Sequence, residues 1–339
     1  MKITIPVWNS FHLRIAFCAA LVFSAFSSCK SITEYDSVHS GKLIIFSSEL
    51  EEIGSIPIDG NPGCIQAFPG HILIATKEGM LLLYDAESLE KIEEYQIGPA
   101  AVEGYSEMLY IPEKGSVYLI GAYGNIFEIN LPECTVEDMF SVCPLPVHMV
   151  SGGENSESFY LVDGYNNRLV TVSLSLNTAV GFLNFDGSIR AIASHGTDSI
   201  LVSTSEQTRI VLEIAPGLIA SLPVIYQGAD CLAMILRSEY SSAIYNGYMG
   251  VISISLDEVS GSYVWGFSGE CPIEGIPVKI KCDDIQHCFA VTYSGDGSST
   301  LYSYDYSSGS INQQVELEGF PLDMDVSPNG NVYLIIVQE

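Results

Sequence analysis

The feature that most constrains the fold is a group of four short apolar runs between residues 64 and 98. Pro69-Gly70, Glu78-Gly79 and Ala86-Glu87-Ser88 separate these runs. Short apolar or β-branched runs between such turn residues predict β-strands joined as hairpins. A single four-stranded meander is too small to bury both of its faces, so this unit must stack on copies of itself. The predicted strands are Cys64–Phe68, His71–Thr76, Met80–Asp85 and Lys91–Ile97.

The same unit recurs along the chain with a regular period. A glycine precedes the first predicted strand of most units, at Gly60, Gly104, Gly187, Gly228, Gly275 and Gly319. The first and last of these glycines are 259 residues apart over six units, which gives a period of about 43 residues. Such a period with four strands in each repeat is typical of a β-propeller. No region breaks the rhythm, so the sequence predicts one domain over residues 41–339.

The two ends of the repeat region complete one more unit. Lys42–Ser47 and Glu52–Ile58 are predicted strands without a preceding pair, and Leu322–Val326 and Asn331–Val337 lack a following pair. Together they make a blade built from both termini, which closes the ring without a free sheet edge. We therefore predict an all-β, seven-bladed β-propeller whose last blade is closed by strands from both termini. Because the fifth and sixth units are irregular, six or eight blades stay open at this point.

The first 28 residues differ from the rest of the chain. Lys2 and Arg14 precede an apolar run, Ile15–Phe26, which has the length of a signal-peptide core rather than a membrane span. Small residues then lead to Cys29. This pattern resembles a bacterial lipoprotein signal, with Phe26 where an aliphatic residue is usual. The resemblance implies a signal peptide (residues 1–28), lipidation at Cys29, a tether (residues 29–40) and a location in the cell envelope. Ordinary secretion and an uncleaved anchor are the alternatives.

The charge balance limits the partners. The chain has 13 basic and 41 acidic residues, a formal net charge of −28. Phosphate backbones would be repelled by such a surface, so we expect no nucleic-acid partner. The charge fits contact with a cation or a basic partner. The expected partners are a membrane, reached through the lipid anchor, and another envelope protein.

The closing stretch, FPLDMDVSPNGNVYLIIV, carries a family resemblance. Its turn and strand residues resemble the bacterial YVTN type of β-propeller repeat, as do Asp85 and Gly98 in the first unit. The resemblance covers about residues 41–337 and is strongest at the two ends. It implies the fold and a binding or scaffold role, but little chemistry. The matching residues of the closing stretch are Gly319, Pro321, Ser327, Pro328, Gly330, Val332 and Tyr333.

Acidic residues accumulate at the predicted turns that join successive blades. Loops at one end of a propeller gather around its channel. These carboxylates are therefore candidates for a ring that holds a hard cation such as Ca²⁺. The alternative is ordinary turn chemistry, with a solvated acid beside a glycine. The candidates are Asp59, Glu103, Asp186, Asp230, Glu274 and Glu318.

A second candidate site is the polar loop between the second and third strands of the third unit. It offers an acid, an aromatic ring, an amide and a cation, at Asp163, Tyr165, Asn166 and Arg168. Catalytic patterns are weak, because the chain has no Gly-x-Ser-x-Gly elbow, no His-Glu-x-x-His and no phosphate-binding glycine loop. His148 and His195 are expected to be buried, hydrogen-bonded residues rather than bases. The sequence favours a non-catalytic binding protein; the alternative is a hydrolase or lactonase that depends on a divalent cation.

Nine cysteines are present, and seven remain after Cys18 and Cys29 are set aside. An odd number cannot all pair within one chain. Cys282 and Cys288 flank a predicted hairpin and are the best disulfide candidates, with two free buried thiols as the alternative.

Overall fold

The computed structural model describes residues 40–97, 107–131, 133–152, 157–195, 199–215, 218–225, 228–234, 240–245, 247–257, 262–283 and 287–338. These residues form seven four-stranded antiparallel sheets. The sheets are the blades of a seven-bladed β-propeller, so the predicted fold class and blade number are confirmed.

The strands are short and end at turns, as the apolar runs predict. The first two strands are the outer pair of blade 7: β1 (Gly41–Phe46) and β2 (Glu52–Ile58). Blades 1 and 2 are β3 (Pro62–Phe68), β4 (His71–Thr76), β5 (Met80–Asp85), β6 (Lys91–Gln96), β7 (Met108–Ile111), β8 (Ser116–Ile120), β9 (Ile126–Asn130) and β10 (Thr135–Phe140). Blades 3 and 4 are β11 (Pro146–Ser151), β12 (Ser158–Asp163), β13 (Arg168–Ser173), β14 (Thr178–Asn184), β15 (Ile189–His195), β16 (Ser199–Thr204), β17 (Thr208–Ala215) and β18 (Leu218–Ile225). Blades 5 and 6 are β19 (Cys231–Met234), β20 (Tyr240–Tyr245), β21 (Tyr248–Asp257), β22 (Ser262–Pro272), β23 (Ile276–Cys282), β24 (His287–Tyr293), β25 (Ser298–Asp305) and β26 (Ser310–Glu318). The inner pair of blade 7 is β27 (Phe320–Val326) and β28 (Val332–Val337).

Blade 7 joins the two ends of the propeller. Its strand order is β2-β1-β28-β27, so β28 lies between β27 and the N-terminal strand β1. The register pairs Gly41 with Val337 and Phe46 with Val332. Hydrogen bonds between β1 and β28 therefore close the ring.

The apolar core is divided among the junctions between neighbouring blades. Each core cluster of the described residues draws its side chains from two adjacent blades. At the junction of blades 1 and 2, Leu81 and Leu83 pack with Val117 and Leu119. The outermost strands are largely exposed, as in β6. Stability therefore depends on the junctions rather than on any single blade.

The two ends of the propeller carry different connections. The turns that join successive blades and the turns between second and third strands lie on one side, which we call the loop face. The remaining turns lie on the opposite face. Both β1 and β28 meet the loop face, β1 with its first residue and β28 with its last. In the part of the chain that the structure describes, no helix has the length and apolar character needed to cross a bilayer.

One predicted boundary differs clearly from the structure. The apolar pattern of the fifth unit predicts its last strand over Tyr263–Phe267, whereas β22 continues to Pro272. The register of β21 and β22 shifts between Met249 and Val251, and Gly269 has φ +64°. A β-bulge at this point lets the strand continue past the glycine-containing segment that the sequence suggests as a turn.

Candidate functional site

The structure places the predicted acidic ring in separate turns of the loop face. Four of the five candidates that the structure describes are exposed. Asp230 lies beside the central channel, where Arg190 Nη1 is 3.4 Å from its Oδ1. Glu103 lies outside the described residues. The exposed candidates are Asp59, Asp186, Glu274 and Glu318.

The glycines beside these acids explain the turns. Gly60, Gly187, Gly275 and Gly319 all have φ between +87° and +109°, a region that favours glycine. Within the described ranges, no group of three or more His, Cys, Asp or Glu side chains is arranged to hold a metal ion. The structure therefore explains the glycines of the acid-glycine pairs by turn geometry, and it does not bring the described acids together.

The second candidate loop, between β12 and β13, is built around a buried carboxylate. Asp163 is fully buried, accepts a hydrogen bond from the Tyr165 amide (3.2 Å), and also accepts from Asn166 Nδ2 (2.6 Å) and Arg168 Nε (2.9 Å). The Arg168 guanidinium lies over the Phe182 ring, 5.5 Å from its centroid. Three of the four predicted residues thus order the loop, and Tyr165 projects from it with 73% of its surface exposed.

Exposed apolar side chains concentrate on the loop face. Of the large apolar residues that are exposed in the described structure, six lie on this face, whereas Leu176 and Tyr240 lie on the opposite face and the others lie on outer strands. Two of the six adjoin the same inter-blade segment: Gly124, next to Tyr123, approaches the Pro144 carbonyl, and Gly164, next to Tyr165, approaches Leu145. The six residues are Tyr123, Leu145, Tyr165, Tyr248, Ile276 and Phe320.

The channel contains a charge network that the sequence did not reveal. Lys279 Nζ in β23 lies 3.0 Å from Asp323 Oδ1 in β27, and 3.4 Å from Glu107 Oε1 just before β7. Lys281 pairs with Asp325 at 3.1 Å. The contact between Lys279 and Glu107 crosses the channel, because it joins blade 6 to blade 2.

Acceptor side chains in this network also bind the backbone of the next blade. Between blades 7 and 1, blades 1 and 2, and blades 2 and 3, a side-chain oxygen of one blade accepts a hydrogen bond from a channel-facing backbone amide in the first strand of the next blade. The pairs are Asp323 with the Ile65 amide (3.0 Å), Asp325 with the Ala67 amide (2.7 Å), Gln66 with the Tyr110 amide (3.1 Å) and Glu107 with the Met149 amide (3.1 Å). These bonds connect four consecutive blades at the inner edge of the ring.

The network fixes the protonation of its members. Burial alone would raise the pKa of Glu107, but the charge of Lys279 and the hydrogen bond with His148 outweigh it, so the pKa is lowered to about 2. Burial would lower the pKa of Lys279, but Asp323 and Glu107 raise it above its ordinary value. Both groups are therefore charged at neutral pH, and neither is poised to transfer a proton.

Both histidines have hydrogen-bond partners, as the sequence predicts, but only His195 is buried, and the His148 side chain is 40% exposed. His148 Nδ1 lies 3.3 Å from Glu107, and the buried His195 Nδ1 lies 2.9 Å from Ser241 Oγ. Burial lowers the pKa of His195 to about 4.

The cysteine pair considered for a disulfide is present as two free thiols. Cys282 and Cys288 lie directly opposite each other in β23 and β24. Burial and the neighbouring Cys288 raise the pKa of the Cys282 thiol, so the thiolate is disfavoured.

Comparison with known proteins supports the fold and does not name a family. No protein-family model matches the chain, and no curated protein is detectably similar to it. Among solved structures, it is similar to the Cps50 (Swd1) β-propeller domain of Myceliophteria thermophila, with a TM-score of 0.64, 9% identity, and coverage of 83% of this chain and 98% of that one.

Two other solved structures give the same result. The Pan2 WD40 domain of Neurospora crassa has a TM-score of 0.56, 13% identity, and coverage of 83% of this chain and 90% of that one. The virginiamycin B lyase of Staphylococcus aureus has a TM-score of 0.57, 12% identity, and coverage of 87% and 99%. At such identities the likeness shows the β-propeller fold alone, and function has to be argued from the site.

Proposed function

We propose that this chain is a non-catalytic binding or scaffold protein of the cell envelope, a YVTN-type propeller attached to a membrane by a lipid on Cys29. The observation that carries the binding role is the set of exposed aromatic and aliphatic residues on the loop face. Aromatic side chains on well-ordered segments are typical anchors of protein interfaces. Tyr165 is such a residue, because the buried Asp163 orders the loop that presents it.

The partner that fits this face is a basic protein. The exposed acids Asp59, Asp186, Glu274 and Glu318 lie on the same face as the six apolar residues. Carboxylates and aromatic rings both attract lysine and arginine side chains, the rings through cation–π contacts. The strongly negative chain would also accelerate the approach of a basic protein at low ionic strength.

The test is site-specific photo-crosslinking in the cells that produce the protein. A photoreactive phenylalanine replaces Tyr165 or Tyr248 on the loop face, and Leu176 on the opposite face serves as the matched control. We expect the same basic protein to be crosslinked from both loop-face positions and not from the control. The purified partner should then bind at least 10-fold more weakly to Tyr165→Ser, whereas Leu176→Ser should bind it like wild type. Equal crosslinking from both faces, or equal affinity of both serine variants, would overturn the proposal.

The anchor needs a separate test. Cys29→Ala should release the protein from membranes and remove the lipid mass from its N-terminal peptide. If the wild-type N-terminus carries no lipid and the variant stays bound to membranes, the anchor proposal is wrong, while the binding role of the loop face is unaffected.

A hydrolase or lactonase with a divalent cation was the alternative from the sequence. No arrangement among the described residues favours it, since the acids are dispersed and the channel carboxylates already have donors.

A further inference from the structure

The channel contains a cavity of about 360 Å³, which lies within the size range of small-ligand sites. Its walls differ in chemistry. Blades 6, 7, 1, 2 and 3 contribute most of the charged network described above. Blades 4 and 5 contribute one ion pair, Arg190 with Asp230, and small apolar side chains that leave the space open. The small residues are Ala191, Ala193, Cys231 and Ala233.

These small residues also leave backbone amides without a side-chain acceptor. Ala191 follows the bulge of its first strand, which is the position that Asp323 occupies in blade 7. Asp323 accepts from the amide of the next blade, but an alanine methyl group cannot, and a cysteine at Cys231 offers no oxygen. The equivalent amides of Leu232 and Ile280 therefore have no side-chain oxygen as acceptor among the described residues. Both residues line the cavity.

The charged groups of the cavity add more donors than acceptors. Arg190 and Lys281 each contact one carboxylate and keep 48% and 33% of their side-chain surface exposed. The carboxylate oxygens of Glu107 and Asp325 already accept from Lys279, His148, Met149, Lys281, Gln66 and Ala67. Among the charged side chains, the groups that remain available to a ligand are therefore the N–H groups of Arg190 and Lys281 and the Asp230 oxygen that does not contact Arg190.

The balance of charge in the cavity also differs from that of the chain. Arg190, Lys279 and Lys281 line it together with three acids, Glu107, Asp230 and Asp325. With Asp323, which pairs with Lys279, these three cations and four acids sum to −1 without His148, whereas the whole chain carries −28. An anion would meet less repulsion here than elsewhere on the molecule.

We propose that the central cavity binds a small organic monocarboxylate. Its carboxylate takes hydrogen bonds from the free N–H groups of Arg190, Lys281 and the inner-edge amides of blades 5 and 6. Its short apolar part lies against Ala191, Ala193 and Ala233. This site is independent of the loop face, and it requires no chemical step.

Calorimetry with matched probes tests the class of ligand. The probes are butanoate, 3-methylbutanoate, butanamide and butylamine, each titrated into the full chain at neutral pH. We expect both carboxylates to bind, the amide to bind at least 10-fold more weakly, and the amine to give no binding heat. Absence of carboxylate binding up to about 10 mM, or an amine or amide that binds as tightly as butanoate, would overturn the proposal.

Two variants locate the site. Arg190→Gln removes a donor of a partly exposed ion pair, and Lys91→Gln removes the same charge from an exposed pair far from the channel. We expect about 10-fold weaker butanoate binding for the first variant and wild-type binding for the second. Ala193→Leu should fill the cavity and abolish binding. If Arg190→Gln binds butanoate like Lys91→Gln, the carboxylate is bound elsewhere and the proposal fails; Arg190→Gln should leave partner binding at the loop face unchanged.

Discussion

Asp325 is the residue whose replacement tests the closure of the ring most directly. One of its carboxylate oxygens pairs with Lys281 at 3.1 Å. The other accepts from the Ala67 amide at 2.7 Å and from Gln66 Nε2 at 2.6 Å. The side chain is 4% exposed and joins blades 6, 7 and 1 at the inner edge. Asp325→Ala leaves an ammonium group, an amide and a carboxamide without this acceptor.

The size of the effect follows from the burial of these groups. The Lys281 side chain is one-third exposed and stays hydrated, so the main loss comes from the buried Ala67 amide and Gln66 carboxamide, each of which costs about 1–3 kcal/mol without its acceptor. A total of about 2–6 kcal/mol, at roughly 2 °C per kcal/mol for a domain of this size, should lower the melting temperature by about 4–12 °C. Asp325→Asn keeps the shape and one acceptor oxygen, so its loss should be smaller.

Urea unfolding at neutral pH measures the change, with Asp59→Ala as the control. Asp59 is an exposed acid that follows another strand of blade 7, and loss of such a group should stay within about 0.5 kcal/mol. The double variant Asp325→Ala with Lys281→Met should lose less than the sum of the two single variants, because no charge is left unpaired. If Asp325→Ala unfolds at the same urea concentration as Asp59→Ala, the inner-edge network does not stabilise the ring.

Three further outcomes are expected. Deletion of Asn331–Glu339 removes β28, whose buried side chains each stabilise the fold by about 1.5–3 kcal/mol. Size-exclusion chromatography should therefore show aggregation, and a truncated monomer that melts like wild type would contradict the shared blade. Burial lowers the pKa of His195 from 6.5 to about 4, so the neutral imidazole stabilises the fold above pH 6.5 and this stabilisation is lost as the pH falls to 4. The unfolding free energy should change by about 3 kcal/mol over this range, and His195→Gln should remove the change. Equal pH profiles of the two proteins would show that the imidazole is not responsible. If the acidic turns hold Ca²⁺, millimolar calcium should raise the melting temperature. The double variant Glu103→Gln with Asp186→Asn should remove this rise, whereas the control Glu90→Gln should keep it. If calorimetry detects no heat when calcium is added, the acids are solvated turn residues only.

The sequence predicted the architecture because turns and strands leave local signals. A glycine with positive φ, such as Gly60 at +91° or Gly319 at +109°, marks four of the blade junctions, and the apolar runs between the turns are the buried strands. These signals also predict that both termini contribute strands to the last blade. The irregular fifth unit was predicted less well, because the bulge near Gly269 extends β22 past an apparent turn.

The channel network could not be predicted in the same way, because its partners are far apart in the chain. Lys279 and Glu107 are separated by 172 residues, and Asp323 and the Ile65 amide by 258. Within β23 the pattern Val-Lys-Ile-Lys is that of a half-exposed strand, and nothing local shows that both lysines face acids of another blade. Asp163 illustrates the same limit. An Asp-Gly pair is typical of an exposed turn, yet the Asp163 side chain is fully buried and accepts a hydrogen bond from Arg168 in the same loop.

The position at which the chain enters β1 bears on which surroundings the loop face can meet. Gly41 pairs with Val337 and packs closely against Pro62, at the rim of the loop face between blades 7 and 1. With a lipid on Cys29, the segment up to Ser40 can extend over at most roughly 40 Å. This tether joins the propeller at the loop face, which also presents Tyr165. If Cys29 carries the proposed lipid, Gly41 at this rim stays within that distance of the bilayer, and a partner of the loop face would have to be a protein that can reach the region next to the membrane.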